Sequence, residues 1–393
     1  MIRVALAFSM RRMWQGGISY FHNLLSCYQK HPDHEIKLIV FTPFPEDVEL
    51  YQSDAIEIHS YPRPPWDYPR RIIKRLLGYD DVLTEMMEHY RIDLLTHFTL
   101  GRQTQINTLQ WMPDFQHKAM PQFFSSKECA RRDSSIANVQ LWGNILLSSH
   151  SAASDFRRYY PDLASVQTHI LHFSSGQILN VDLPPREEIA AHYPIRSPYF
   201  FLPNQFWQHK NHGTVIEALR QTAQEIRVIC TGPMRDSRNA AYVPNLLKEV
   251  RKAGLEQRFI CLGTVSYAML AGLMHHSIAV LQPSFFEGWS TSVEESKAMR
   301  KQIILSNIAV HLEQAPKRGV YFSPDSAENL ADCLNRVYAE FDPATEAAYA
   351  KQRPLYKTKI EQDWIGDFAQ IMKSACQPRF RAKVSGISQK ART

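Results

Sequence analysis

Two glutamates, Glu287 and Glu295, stand with seven residues between them where a strand pattern gives way to a helix pattern. The apolar run 278–281 predicts a buried strand, and residues 291–299 predict the start of a helix. In an open α/β sheet, ligands bind at such corners, beyond the carboxyl ends of the strands. Carboxylates there could accept hydrogen bonds from the hydroxyl groups of a sugar or a ribose. The simpler alternative is that Glu295 only complements the helix dipole and that Glu287 is a solvated loop acid.

Hydroxyl residues fill the turn between the two glutamates. Ser290, Thr291 and Ser292 lie at the predicted first turn of the helix, where Ser and Thr are favoured. The first amides of a helix have no partner within it, and they lie at the positive end of the helix dipole. The turn could therefore hold a phosphate group.

A second strand-loop-helix segment begins the second half of the chain. Asn204 lies at the end of its predicted strand, and Lys210 lies next to its predicted helix. The charge of Lys210 would add to the helix dipole in holding an anion, although a solvated lysine is the alternative. Asn204 could reach a ligand from the strand end.

The first half of the chain contributes two further candidates. Gly16 and Gly17 follow the first predicted strand, where paired glycines let the backbone approach a ligand closely. His117 follows another strand and could bind a sugar hydroxyl or transfer a proton, although a single histidine can equally be structural. No D-x-D pair follows a strand, so neither a metal site nor a metal-bound diphosphate is predicted. Dinucleotide-binding, Walker, G-x-S-x-G and H-E-x-x-H motifs are also absent from the sequence.

The composition narrows the class of protein. The chain has 393 residues, a formal net charge of +6 and 44% hydrophobic residues, which suits two globular domains and an anionic partner. Its six scattered cysteines predict buried thiols in a reducing, cytoplasmic compartment. No apolar segment is long enough to span a bilayer. The basic segment 69–77 could lie on an anionic membrane, but it lacks the interleaved aromatic residues typical of nucleic-acid binding.

Strand and helix patterns alternate along both halves, which predicts an α/β protein with two doubly wound parallel sheets. Long helices are expected at 70–90 and 344–373. The expected strands are 2–9, 35–42, 56–61, 94–98, 108–112, 145–148 and 169–173 in the first half, and 199–202, 226–231, 259–263, 278–281 and 303–306 in the second.

The domain organisation follows from this alternation and from composition. The expected regions are a domain of residues 1–180, a linker of 181–196, a second domain of 197–358, a helix of 359–376 and a basic, disordered tail of 377–393.

Taken together, these segments resemble the family 4 retaining glycosyltransferases, which fall within glycosyl transferases group 1 and have the GT-B fold. The resemblance runs through most of the chain and is strongest at 204–212, 286–297 and 306–314. It implies two Rossmann-like domains that face a central cleft, with a C-terminal helix that crosses back to the first domain. The first domain would bind the acceptor, and the second would bind a nucleotide sugar.

The resemblance also implies a role for each matching residue. Glu287 would lie beside the donor sugar, Lys210 beside the diphosphate and His117 in the reaction cleft, as the catalytic residues. The donor-binding residues would be Glu295 at the ribose, Ser290, Thr291 and Ser292 at the phosphates, Thr264 and Val265 at the base, Asn204 at the strand end and Gly17 in the cleft.

Two departures from the family pattern concern the donor site. Many members carry an arginine where this chain has Asn204 or Gln205, so Lys210, the helix N-terminus or another arginine such as Arg235 would carry the diphosphate charge. The common loop E-G-F-G-L-P is E-G-W-S-T-S here, which places Trp289 and a serine beside the first glutamate.

The activity implied by the resemblance is a metal-independent transfer, with retention, from a UDP- or GDP-sugar to a glycan or lipid-linked glycan. No cofactor besides this co-substrate is expected, and nucleic acid is not expected as a partner. Surface polysaccharide or glycoconjugate biosynthesis would be the setting, in the cytoplasm or at the inner face of a membrane. The alternatives are a nucleotide-sugar epimerase or phosphorylase on the same fold and a non-catalytic binding protein.

Overall fold

The computed structural model describes residues 1–9, 15–61, 81–99, 106–193, 195 and 198–376. Within these ranges the chain forms two α/β domains, each built on a parallel sheet, as the alternation of strand and helix patterns predicts. The basic segment 69–77 and the tail 377–393 lie outside the described residues.

The first domain is built on a sheet of seven parallel strands. These are β1 (Ile2–Ala7), β2 (Ile36–Thr42), β3 (Ile56–Ser60), β4 (Leu94–His97), β5 (Asn107–Met112), β6 (Asn144–Leu147) and β7 (Gln167–Ile170). Their order in the sheet is β3-β2-β1-β4-β5-β6-β7. The central strand β1 is apolar along its buried middle, Val4 to Leu6, because helices cover both faces of a parallel sheet.

The second domain is built on a sheet of six parallel strands. These are β8 (Phe200–Pro203), β9 (Val228–Thr231), β10 (Phe259–Cys261), β11 (Val280–Gln282), β12 (Ile303–Ser306) and β13 (Gly319–Phe322). Their order is β10-β9-β8-β11-β12-β13, so the strand order reverses between β8 and β11. The loops after β8 and β11 therefore open at a topological switch point, where α/β sheets bind their ligands.

Helices connect the strands in both domains. In the described ranges they are α1 (Gln15–Lys30), α2 (Asp81–His89), α3 (Gln116–Ala119), α4 (Ser126–Ala137), α5 (His150–Tyr159), α6 (Arg186–His192), α7 (His212–Leu219), α8 (Tyr242–Lys252), α9 (Tyr267–His276), α10 (Thr291–Ala298), α11 (Ala309–Gln314), α12 (Ala327–Ala339), α13 (Pro343–Ala350) and α14 (Arg353–Cys376).

Several elements differ from the sequence-based expectations. Helix α1 begins at Gln15, so Gly16 and Gly17 lie in its first turn instead of in the preceding loop. Strand β13 was not expected, because its four residues are mostly half-buried and carry no clear alternation. The expected helix 344–373 is two helices, because Pro354 lacks an N–H group and suits the first turn of a new helix. The expected linker contains the short helix α6.

Helix α14 crosses back from the second domain to the first. Its buried residues recur with the helical period on one face, which packs into the core of the first domain. They are Trp364, Ile365, Phe368, Ala369, Met372 and Ala375. The Phe368 ring meets the Tyr28 ring edge-on, 6.0 Å between centroids. Lys373 adds an ion pair with Asp33 at 2.8 Å. Helix α14 is therefore part of the first domain's core.

Phe368→Ala should destabilise the first domain, because it removes a fully buried ring from this core. We expect a loss of about 3–5 kcal/mol in the free energy of unfolding, measured by calorimetry and chemical denaturation. Gln370→Ala, on the exposed face of the same helix, is the matched control and should change it by less than about 0.5 kcal/mol. Equal effects of the two substitutions would contradict the docking of α14.

Candidate functional site

Lys210 and Glu287 form an ion pair between the loops that follow β8 and β11. The Lys210 Nζ donates to Glu287 Oε1 at 2.6 Å, and the Ser284 hydroxyl donates to the same oxygen at 2.6 Å. The side chains are 18% and 9% exposed. Two residues 77 positions apart in the sequence thus meet at the switch point of the second sheet. Glu287 is a buried, paired carboxylate, so the alternative of a solvated loop acid is wrong.

The charge of Lys210 decides the protonation state of Glu287. Burial alone would raise the pKa of this carboxyl, but the charge and hydrogen bond of Lys210 outweigh it and hold the pKa below its ordinary value. Glu287 is therefore an anion at neutral pH. The two charges neutralise each other. An incoming anion could compete with Glu287 for the Lys210 ammonium group, and a hydroxyl group could compete with Lys210 for the Glu287 carboxylate.

Glu295 lies one helical turn inside α10 and has a different environment. The Tyr267 hydroxyl donates to its Oε1 at 2.9 Å, and the residue is 6% exposed. Burial raises its pKa to about 7, although the bond from Tyr267 lowers it. The two glutamates of the motif therefore differ in charge near neutral pH, because Lys210 lies beside Glu287 whereas the neutral Tyr267 hydroxyl lies beside Glu295. Its bond to Tyr267 shows that Glu295 does more than complement the helix dipole.

The hydroxyl residues occupy the expected start of α10. Ser290 is the N-cap, and its own hydroxyl makes no cap bond. The Gln314 side chain holds its main chain instead, accepting from the amide at 3.4 Å and donating to the carbonyl at 3.0 Å. The amides of Thr291 and Ser292 lie in the first turn, where the helix itself provides no acceptor. These two amides are the better candidates for an anion.

Asn204 is directed into the sheet end instead of toward a ligand. Its side-chain amide donates to Gln282 Oε1 at 3.2 Å, and the residue is buried. Behind it, Gly232 has a φ of +128°, and a Cβ there would lie 2.6 Å from the Asn204 carbonyl oxygen. The turn after β9 therefore requires glycine in order to pack against this strand end.

The residues expected at the nucleotide base follow β10. Thr264 is exposed, and Val265 is half-buried against the apolar cluster beneath the sheet. They lie at the carboxyl edge of the same sheet as the ion pair, two strands away from β8. Gly17 is buried in the first turn of α1, at the corresponding edge of the first sheet.

His117 is enclosed within the first domain. Its Nε2 lies 3.1 Å from Asp133 Oδ1 and 3.0 Å from the Tyr160 hydroxyl, and its side chain has no exposed surface. Burial lowers its pKa, although Asp133 raises it. In this arrangement the ring orients Asp133 and Tyr160 and does not present a free edge to the cleft. Its expected place in the reaction cleft stays a prediction.

The motif loop, residues 283–290 between β11 and α10, lies directly against the first domain. A Cβ on Gly288 would be 2.2 Å from the Pro113 carbonyl oxygen and 2.8 Å from the Asp114 Cβ. The Ser149 hydroxyl also donates to the Gly288 carbonyl at 2.9 Å. Glu287, the preceding residue, therefore lies at the seam between the two domains.

An arginine that the sequence did not single out crosses the same seam. Arg238 donates to Gln116 Oε1 of the first domain at 3.1 Å, and its guanidinium lies 4.4 Å from the Trp207 ring centre. Arg235, suggested as a substitute for the family's arginine, is exposed. Ser284 and Tyr267 were missed as well. Ser284 could have been suspected from its position in the motif, but the contact of Tyr267 depends on the packing of α9 against α10.

One set of residues within the described ranges could hold a metal ion. The ligand atoms of His150, His172 and Glu313 all lie within 4.8 Å of one another. This set lies at the domain seam and includes neither Lys210 nor Glu287. No helix of the described residues is long and apolar enough to cross a membrane.

The raised pKa of Glu295 predicts a pH-dependent stability. Between its ordinary pKa of 4.5 and about 7 the folded protein binds this proton more tightly than the unfolded chain, so stability falls as pH rises through that window. Relative to the wild type, Glu295→Gln should gain roughly 1–3 kcal/mol of unfolding free energy between pH 5 and pH 8. Urea unfolding at several pH values measures this. The control is Glu340→Gln on the exposed surface, and parallel profiles for Glu295→Gln and wild type would contradict the prediction.

Comparison with known proteins is consistent with this geometry. Residues 186–353 match the family model described as glycosyl transferases group 1. No curated protein matches the chain. A glycosyltransferase from Rickettsia africae ESF-5 is similar in structure, with a TM-score of 0.68, 13% identity and coverage of 96% of this chain and 99% of that chain.

Two further solved structures are similar over nearly the whole chain. Anabaena Alr3699/HepE in complex with UDP and glucose has a TM-score of 0.65 and 13% identity, covering 95% of this chain and 99% of that chain. WaaG, a glycosyltransferase involved in lipopolysaccharide biosynthesis, has a TM-score of 0.59 and 13% identity, covering 95% and 98%. Residues 186–353 are thus similar to glycosyl transferases group 1, and the chain as a whole has the GT-B fold.

Proposed function

We propose that this chain is a family 4 glycosyltransferase that moves a sugar, with retention of anomeric configuration, from a nucleotide sugar to a glycan or lipid-linked glycan. The observation that carries the proposal is the Lys210–Glu287 pair at the domain seam. The pair consists of one cation and one buried carboxylate. Both lie at the carboxyl ends of the strands of the second sheet, the edge at which α/β sheets bind ligands, and this edge faces the first domain. The family match of residues 186–353 supports the reaction class.

The donor side of the cleft lies in the second domain. Lys210 and the free amides at the start of α10 would hold the diphosphate, because both present positive charge to the same edge of the sheet. Glu295 would accept bonds from the ribose hydroxyls, and the turn at Thr264 and Val265 would contact the base. A UDP- or GDP-sugar fits these groups. HepE, a structural neighbour, has been solved with UDP and glucose bound.

Glu287 would orient the donor sugar. In this structure its charge is balanced by Lys210, and a bound diphosphate would compete for the same ammonium group. Lys210 would then stabilise the negative charge that grows on the departing diphosphate, and Glu287 would face the positive charge that grows on the sugar. No metal ion is required in this scheme, since Lys210 and the helix amides neutralise the diphosphate. The absence of a D-x-D pair after any predicted strand supports that assignment.

The first domain would bind the acceptor. Its edge at the seam contributes Pro113, Asp114 and Gln116, close to the motif loop. WaaG acts in lipopolysaccharide biosynthesis, which supports a surface polysaccharide or other glycoconjugate as the product class. We place the protein in the cytoplasm, with access to a lipid-linked acceptor at the inner face of the membrane.

A screen of nucleotide sugars tests the proposal. A UDP- or GDP-sugar should raise the melting temperature of the wild type, because a ligand of the folded state stabilises it by mass action. Incubation with the donor and candidate glycans should give a product whose anomeric configuration, measured by NMR, matches that of the donor. EDTA should leave the rate unchanged. Sugar isomerised or phosphorolysed without a glycan acceptor would support an epimerase or phosphorylase instead.

Glu287→Gln should lower transfer on the order of 100-fold or more while leaving nucleotide binding in place, because it removes the charge that faces the sugar. The substitution keeps the shape of the side chain and the bond from Ser284. Glu340→Gln, on the exposed surface, is the control and should retain full activity. Full transfer by folded Glu287→Gln would contradict the role of this carboxylate.

A further inference from the structure

Trp289, one of the residues at which the loop departs from the common family form, is held by the first domain. Its indole N–H donates to the Phe173 carbonyl at 3.0 Å. The indole also stacks on the His172 ring, with 4.4 Å between centroids and 12° between planes. It packs against the apolar core of the first domain. The Trp289 side chain therefore contacts the first domain and is not directed toward the donor site.

Glu313 of the second domain holds the other side of the same contact. Its Oε1 lies 2.6 Å from His172 Nε2, so the half-exposed histidine contacts a carboxylate with its edge and an indole with its face. The same carboxylate accepts from the amides of His150 at 2.7 Å and Ser151 at 2.9 Å. These are the first two amides of α5, so a residue of one domain completes the helix start of the other.

Ser149 joins this helix start to the motif loop itself. As the N-cap of α5, its hydroxyl oxygen accepts from the Ala152 amide at 2.9 Å and its proton goes to the Gly288 carbonyl at 2.9 Å. Contacts with the first domain therefore reach the two residues that directly follow Glu287. A rotation of the backbone at 288–289 would move the Glu287 carboxylate away from Lys210.

We propose that Trp289, His172 and Glu313 form an interdomain latch that positions the loop carrying Glu287 in the closed arrangement of the two domains. The proposal rests on the proposed function for its effect on the donor sugar. The latch residues are positioning residues, since they act through Glu287. The departure at position 289 thus serves closure of the cleft and does not select the donor.

The latch predicts separate effects on the sugar and on the nucleotide. In the proposed donor site a free nucleoside diphosphate would be held by Lys210 and by the amides of Thr291 and Ser292, all in the second domain, and none of these groups contacts the latch residues directly. The sugar of a nucleotide sugar requires Glu287 at the seam. Breaking the latch should therefore weaken the binding of UDP-glucose on the order of tenfold and the binding of UDP by less than about twofold.

The variants separate the two contacts of Trp289. Trp289→Ala removes both the stack and the hydrogen bond, whereas Trp289→Phe keeps a ring on His172 and loses only the bond to Phe173. The matched control is Trp142→Phe, a half-buried tryptophan of the first domain. We expect a large effect for Trp289→Ala, about a fivefold effect for Trp289→Phe and none for Trp142→Phe.

A readout that needs no activity tests the latch itself. Hydrogen exchange of the full chain without ligand should show about tenfold less protection at residues 288–290 and at the first turn of α5 in Trp289→Ala than in the control. Small-angle scattering should show a larger radius of gyration for Trp289→Ala.

The outcomes are distinguishable from a failure of the proposed function. If neither UDP-glucose nor UDP binds the wild type but exchange increases as expected, the latch stands and this donor is wrong. Unchanged exchange and scattering in Trp289→Ala would overturn the latch, whichever donor binds.

Discussion

The two domains approach each other closely because residue 288 is a glycine and has no side chain. The backbone of Gly288 lies so close to Pro113 that a Cβ would overlap the carbonyl oxygen at 2.2 Å. Closure at this point brings the loop after β11 against the first domain, and with it the carboxylate of Glu287. The ion pair, the contacts of Trp289 and the helix start bound by Glu313 all lie around this contact. A larger residue at 288 would displace them together.

The pKa values of the two glutamates follow from their burial and from the partner that each has. A buried carboxylate needs a partner, and Lys210 supplies it for Glu287 from a loop of the same domain. Glu295 has the phenol of Tyr267 beside it instead of a cation, and burial raises its pKa to about 7. A nucleotide sugar would meet the anion Glu287, the cation Lys210 and the carboxyl group of Glu295, whose protonation changes near pH 7. That combination suits a ligand with both a diphosphate and hydroxyl groups.

The sequence was sufficient for the two-sheet architecture, because strand and helix periods alternate clearly in both halves. It also predicted that Lys210 and Glu287 would lie at one sheet edge, since parallel strands direct their following loops to the same side. Side-chain direction could not be predicted. Asn204 turned to Gln282 and His117 to Asp133, because each found a buried hydrogen-bond partner on another element. Contacts between domains, such as those of Trp289, left no periodic signal.

Small-angle scattering of Gly288→Ala tests the central claim most directly, because an added methyl group would overlap the Pro113 carbonyl oxygen unless the loop and the first domain move apart. Gly213→Ala is the matched control, since a Cβ there would have no atom of the described residues within 4 Å. The account predicts a larger radius of gyration and weaker nucleotide-sugar binding for Gly288→Ala alone. Scattering and binding identical to those of the wild type would contradict it.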